Sequence, residues 1–192
     1  MRQEILTLVA QRSGMVFAPA RCAEAEAGIA RAMQRAGGDD LAAYLCLLRR
    51  DGIAMDALVD ELTVGETHFM RGPDQMDLVR REVLPAAKRC REGGAPARVW
   101  SAGCATGEEA YSLAILLEEE GLDDRAFVLG TDLSAAALEK ARAGSYSDWS
   151  MRGVSGQFRQ DYFRHEGGRR ILVDRIRNKV RFERLNLVGA ED

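Results

Sequence analysis

The stretch that most constrains this chain runs from Arg98 to Ser112, RVWSAGCATGEEAYS. Val99 and Trp100 open it as a short apolar strand, Gly103 and Gly107 sit in the turn that follows, and a helix starts behind them. From that turn onward Ala110, Leu113, Ala114 and Leu117 recur at i, i+3, i+4, i+7, one apolar stripe of a helix. Glycine allows backbone angles and close approaches that a side chain forbids. A strand that turns through glycines into a helix N-terminus is how parallel sheets hold nucleotide-like ligands. The spacing here is G-x-x-x-G and not G-x-G-x-x-G, so the motif indicates a ligand of this kind without naming it.

The flanking pattern agrees. A second strand is expected over Arg125 to Thr131, closing on Asp132, and Ser134 caps a helix through Leu138 and Ala141 to Gly144. Strand, helix, strand, helix reads as a parallel α/β sheet. Residues 1–62 read as a helical domain. Its stripes are Ile5, Leu8 and Val9; Ile29 and Met33 on a helix from Ala20 to Ala36; Leu41, Tyr44, Leu45 and Leu48; and Met55, Leu58, Val59 and Leu62. Residues 63–73 are polar, unperiodic and closed by Gly72-Pro73, which marks a linker. Asp74 to about Glu92 is a helix with Pro85 as a kink or end, and residues 74–192 form the second domain. Tyr146 to Gly156 is irregular, and two short strands follow at Ile171–Val173 and Val180–Phe182. Only about three strands can be parallel, against about five or six in a doubly wound sheet. The chain therefore reads as the front part of a longer protein.

Composition narrows the function. Apolar residues make up 46% and suffice for a core, while a net charge of -3 supplies no basic field for nucleic acid. The four cysteines have no C-x-x-C pairing and no nearby histidine, so they read as reduced thiols and not zinc ligands. Neither a membrane span nor a signal peptide is evident. With no Ser-His-Asp set, metal cluster or P-loop lysine, much hydrolytic and phosphoryl chemistry is excluded. Methyl transfer is not, because a sulfonium donor is already activated and a glutamate acceptor is ionised at neutral pH.

Candidate residues follow. Asp132, at a strand end beyond the glycines, suits ribose hydroxyls, with a helix-capping aspartate as the alternative. Glu109 either completes a Thr106-x-x-Glu109 capping box or holds an ammonium group. Thr67 and Arg71 lie in the linker, where an arginine is ordinarily solvated. Cys104 reads as a small tolerated side chain, Trp100 as a core aromatic and Trp149 as a surface one.

Together these pieces resemble the chemotaxis-receptor glutamate methyltransferases, the CheR family. The resemblance rests on Leu62 to Arg71 (LTVGETHFMR), Val99 to Ser112, Gly130-Thr131-Asp132-Leu133, Ala143-Gly144-Ser145-Tyr146 and Asn186-Leu187, in the family's order. It implies a helical N-terminal domain, a linker, and an incomplete Rossmann-like sheet that binds S-adenosylmethionine and carries a small antiparallel β-insert. It also implies a cytoplasmic enzyme that converts glutamates on the helical region of methyl-accepting receptors to γ-methyl esters, without nucleic acid or membrane insertion. A non-catalytic receptor-binding or cofactor-sensing scaffold is the alternative. By position, Thr67, Arg71 and Gly103 line the cofactor pocket, with Arg71 beside the transferred methyl as the catalytic residue. Glu109 meets the methionine part, Asp132 the ribose, and Asn186 and Leu187 the adenine end. Gly65 stands where many members carry Asn, Ala110 replaces a usual Pro, and His68 and Met70 replace aromatics. Helix two carries Arg31 and Arg35 but also Glu24 and Glu26, and is less basic than in enteric-type members. The family's later strands lie beyond Asp192, so the Val99 strand is expected at an open edge, and the isolated chain is expected to bind cofactor weakly or not at all and to be inactive by itself.

Overall fold

The computed structural model describes residues 1–63, 65–94, 96–122 and 126–188. The parts of the linker, strand and chain-end assignments that fall on Val64, Ala95, Arg125 and Glu191-Asp192 lie outside the described residues. Two compact units emerge: Met1–Val64 with Leu133–Ala135 and the segment from Leu185, and Gly65–Asp132 with Ala136–Arg184.

The first unit is helical: α1 (Arg2–Ser13), α2 (Cys22–Arg35), α3 (Leu41–Arg50) and α4 (Gly52–Leu62). The apolar stripes meet as expected, with Ile5, Val9, Ile29, Leu48 and Leu58 removed from solvent. α2 begins two residues later than its pattern suggests because Pro19–Arg21 form a separate 3-10 turn. Asp40 accepts from Ala42 N, and Asp51 accepts from Ile53 N and Ala54 N, so each aspartate satisfies the orphan amides of a helix start. On α4, Glu61 takes hydrogen bonds from both Arg31 and Arg35 of α2, and these hold its carboxyl below the usual range.

The second unit begins with the residues after Val64 and continues through α5 (Pro73–Leu78), a π-helical turn (Val79–Val83) and α6 (Leu84–Glu92). The helix expected over 74–92 is thus present but widened just before Pro85. Proline donates no N–H and its ring collides with the carbonyl one turn back, and a π turn relieves both. Then come β1 (Ala97–Ala102), α7 (Glu108–Glu119), β2 (Ala126–Asp132), α8 (Ala135–Ala143), β3 (Ser145–Tyr146), α9 (Gly156–Tyr162), β4 (Phe163–Glu166), β5 (Arg169–Leu172), α10 (Asp174–Arg177) and β6 (Val180–Arg184).

β1, β2 and β6 form a parallel sheet in that order, with β1 at its edge, and β3, β5 and β4 form a separate antiparallel sheet. This is the mixed α/β architecture expected. α7 is buried from Ala110 to Leu117 on all sides and not along one stripe, because it is covered by the parallel sheet and by α10. Trp100 corrects a further expectation: it is 55% exposed on the edge strand, its Nε1 donating to Thr131 Oγ1 at 2.9 Å. The helix α9 and strand β4 fall in a region without apolar period. Their cue is Gly167-Gly168, both at positive φ, the two-residue hairpin loop between Glu166 and its partner Arg169.

Candidate functional site

The C-terminal ends of β1 and β2 support the glycine turn. Gly103 N and Cys104 N both donate to Thr131 O, at 2.8 and 2.9 Å. Gly103 has φ 76°, and a Cβ there would meet nothing within 4 Å, so this side of the turn faces open space. Gly107 differs: at φ 92° its added Cβ would lie 2.9 Å from Ala141 Cβ and 3.1 Å from the Phe182 ring. One glycine gives clearance, the other lets the turn press onto α8 and β6.

Asp132 ends β2, and its Oδ2 accepts the amide of Ala105 at 2.8 Å. Ala105 holds a left-handed φ of 48°, which costs a non-glycine residue about 1–3 kcal/mol and tends to occur where local geometry serves a site. The capping box does not form. Gly107 is the N-cap of α7 without a side-chain bond, and Thr106 Oγ1 donates instead to Glu108 Oε2 at 2.6 Å. Glu109 is exposed and accepts from Ser101 Oγ of β1 at 2.6 Å. Cys104 is buried beneath the turn, and burial, with Asp132 nearby, pushes its thiol up to about 12, which rules out a thiolate nucleophile.

The segment from Gly65 to Arg71 packs on this unit. A Cβ on Gly65 would stand 3.9 Å from Ala105 Cβ, so this segment starts beside the residue that grips Asp132. Thr67 is half-buried. Phe69 is fully buried, with its ring 4.9 Å from those of Tyr146 and Phe163, and its amide donates to Ser150 O. Met70, at a left-handed φ of 54°, donates its amide to Ser112 Oγ of α7 at 3.0 Å. Arg71 is exposed, and its Nη1 bonds Glu66 O. Glu66 in turn pairs with Arg152, whose guanidinium lies 4.4 Å from the centre of the exposed Trp149 ring. Burial, together with the cations of Arg152 and Arg71, lowers the His68 pKa, against a smaller pull from Glu66 and Glu108.

Asp132, Gly103, Glu109, Thr67 and Arg71 therefore belong to one unit, and the chain from Arg71 through Glu66 and Gly65 leads to Ala105 and Asp132. Asn186 and Leu187 belong to the other. There Asn186 Nδ2 donates to Arg12 O at 2.7 Å, its Oδ1 accepts from Val188 N, and Leu187 is exposed. An acidic strand end for ribose hydroxyls, an exposed carboxylate for an ammonium group and a glycine face clear of side chains fit an S-adenosylmethionine-type ligand.

Sequence reasoning passed over Glu108, Ser112 and Ser150, which are buried and tie the turn to the Arg71 segment. A signal existed for the first two: Glu108, Tyr111, Ser112 and Ile115 share one face of α7 at helical spacing, and all four are buried. Ser150, from a turn with no period, carried none.

Comparison with known proteins places both units in one family. Residues 65–192 match the CheR methyltransferase SAM-binding domain, and residues 2–63 match the CheR methyltransferase all-alpha domain. The chain is 31% identical to a chemotaxis protein methyltransferase of Salmonella typhimurium over 98% of its own length and 66% of that protein. It is 32% identical to a chemotaxis protein methyltransferase of Listeria monocytogenes, over 73% of this chain and 53% of the relative. A probable biofilm formation methyltransferase of Pseudomonas aeruginosa is 36% identical over 70% of this chain and 32% of its own length. The chain thus spans no more than about two thirds of these relatives. Among the described residues no helix is long and apolar enough to cross a membrane. With both of its domains represented in order, and S-adenosylmethionine as the cofactor of the larger one, the chain belongs to the CheR methyltransferase family.

Proposed function

We propose that the protein containing this chain methylates glutamate side chains on the cytoplasmic helical region of chemotaxis receptors, forming γ-methyl esters. The observation that carries the reading is the meeting of Gly65 and Ala105, which brings the Arg71 segment to the residue bonded to Asp132. S-adenosylmethionine, when bound, supplies a sulfonium-activated methyl, and an ionised acceptor carboxylate takes it without releasing a proton. The site therefore requires alignment and exclusion of water, not a general base. Asp132 accepts the ribose hydroxyls, Glu109 faces the ammonium group, and Gly103 leaves room for the ligand. Thr67 lines the pocket. Arg71, exposed and tethered at one guanidinium nitrogen, has donors left to orient the incoming carboxylate.

Asp132→Asn tests the cofactor half. It keeps an oxygen for the Ala105 amide and loses the charge, so S-adenosylhomocysteine affinity by calorimetry should fall about tenfold or more, the scale of a charge-assisted hydrogen bond. Labelled-methyl transfer by the full-length protein to receptor-bearing membranes tests the acceptor half, with base-labile label expected. Tight cofactor binding without any transferred label would favour the scaffold reading.

A further inference from the structure

We propose that Glu108 is a positioning residue that locks the glycine turn to the segment carrying Arg71. Only 2% of it is exposed, and among the described residues it has no ion-pair partner. Its carboxylate is held by two hydroxyls, Thr106 Oγ1 at 2.6 Å and Ser150 Oγ at 2.9 Å. A buried carboxylate without a counter-ion is costly, and hydroxyl donors with the positive end of α7 offset that only in part. An apolar side chain there would leave the Thr106 and Ser150 hydroxyls without this shared acceptor, so the two carboxylate oxygens are what join the two segments.

That geometry converges on two residues. Through its side chain Glu108 orients Ser150, whose carbonyl accepts the Phe69 amide at 3.0 Å. Through its backbone carbonyl it accepts Ser112 Oγ at 2.6 Å, and that same oxygen accepts the Met70 amide at 3.0 Å. Two short paths from one residue thus hold Phe69 and the left-handed Met70, the pair immediately before Arg71. Thr106, on the carboxylate's other side, belongs to the turn between Gly103 and Gly107. Glu108 fixes the spacing between the cofactor turn and Arg71.

This inference rests on Arg71 acting at the transferred methyl, but its test does not. In the ligand-free chain, Glu108→Ala keeps the main-chain carbonyl but cuts the path through Ser150, so it should shift the amide signal of Phe69 and, through it, those of Met70 and Arg71 and the Arg71 side-chain Nε signal, and increase their fast motion. Ser150→Ala should do the same more weakly, and it decides the matter if Glu108→Ala does not fold. Glu108→Gln, which keeps an acceptor oxygen, should restore the signals. In the full-length protein, Ser150→Ala should lower kcat about tenfold with the KM for S-adenosylmethionine within about twofold, as displacement of a reacting group would. Ser150→Ala leaving the Met70 and Arg71 signals in place, whatever its melting temperature, would overturn the proposal. Shifted signals with no methyl transfer by the wild-type protein would instead sink the functional reading and leave the positioning role standing.

Discussion

The two units hold themselves together in different ways. In the helical unit the interior is almost wholly aliphatic, and its polar groups work at helix ends, as Asp40 and Asp51 do, or clip one helix to another, as Glu61 does with Arg31 and Arg35. In the sheet-bearing unit Ser101, Glu108, Ser112, Thr131 and Ser150 are buried, and those whose bonds are described connect the cofactor turn with its surroundings. A hydrophobic core is non-directional and tolerates small shifts, whereas a satisfied buried polar network specifies distances and angles. The contrast teaches where to look for chemistry: in the unit whose interior is directional.

The largest expected effect lies in the aliphatic core. Leu58→Ala should cost about 2–5 kcal/mol by chemical denaturation, since a fully buried leucine leaves a cavity. A cost below about 1 kcal/mol would mean that this core collapses freely, and the comparison would lose one side. Next comes the turn. Gly107→Ala combines a left-handed backbone with an approach of 2.9 Å to Ala141 Cβ. It should destabilise by about 1–3 kcal/mol and weaken S-adenosylhomocysteine binding as well. Loss of stability with unchanged binding would separate the turn from the ligand.

The smallest effect is a pH dependence at His68. Its folded pKa lies below the ordinary 6.5, so the folded state resists the proton that the unfolded chain accepts. Stability should therefore fall as pH drops through 6.5 toward the folded value, and should fall no further below it. His68→Gln should flatten that part of a stability–pH profile and leave the region above pH 7 unchanged. A slope that survives the substitution would assign the effect elsewhere.

Legibility in the sequence followed the same division. The four helices of the first unit were readable because each buries one face, and one-face burial writes a period of 3.6 into the residues. Strands β1 and β2 and the glycine turn were readable for a related reason, as apolar runs closed by glycine or aspartate, and β6 through the alternation Val180-Arg181-Phe182. The antiparallel sheet was only half readable: Ile171 and Leu172 mark β5, while Phe163–Glu166 holds one apolar residue and is recognisable only by the Gly-Gly loop beside it. At the site, Asp132 and Arg71 stood out through motif and order. Of the two readings of Glu109, the Thr106–Glu109 box does not form, because two adjacent glutamates compete for one threonine and the buried one holds it.

By itself, then, the sequence determined the class of fold, the family, and the residue types that a sulfonium cofactor requires. Those properties are local or periodic, and short-range order carries them. Only the tertiary structure decided that Gly65 meets Ala105, that Glu108 and not Glu109 is the buried carboxylate, and that Ser150 reaches across 42 positions to hold it. Contacts between segments far apart in the chain depend on how the packed core orients each element, and no local pattern of residues records that.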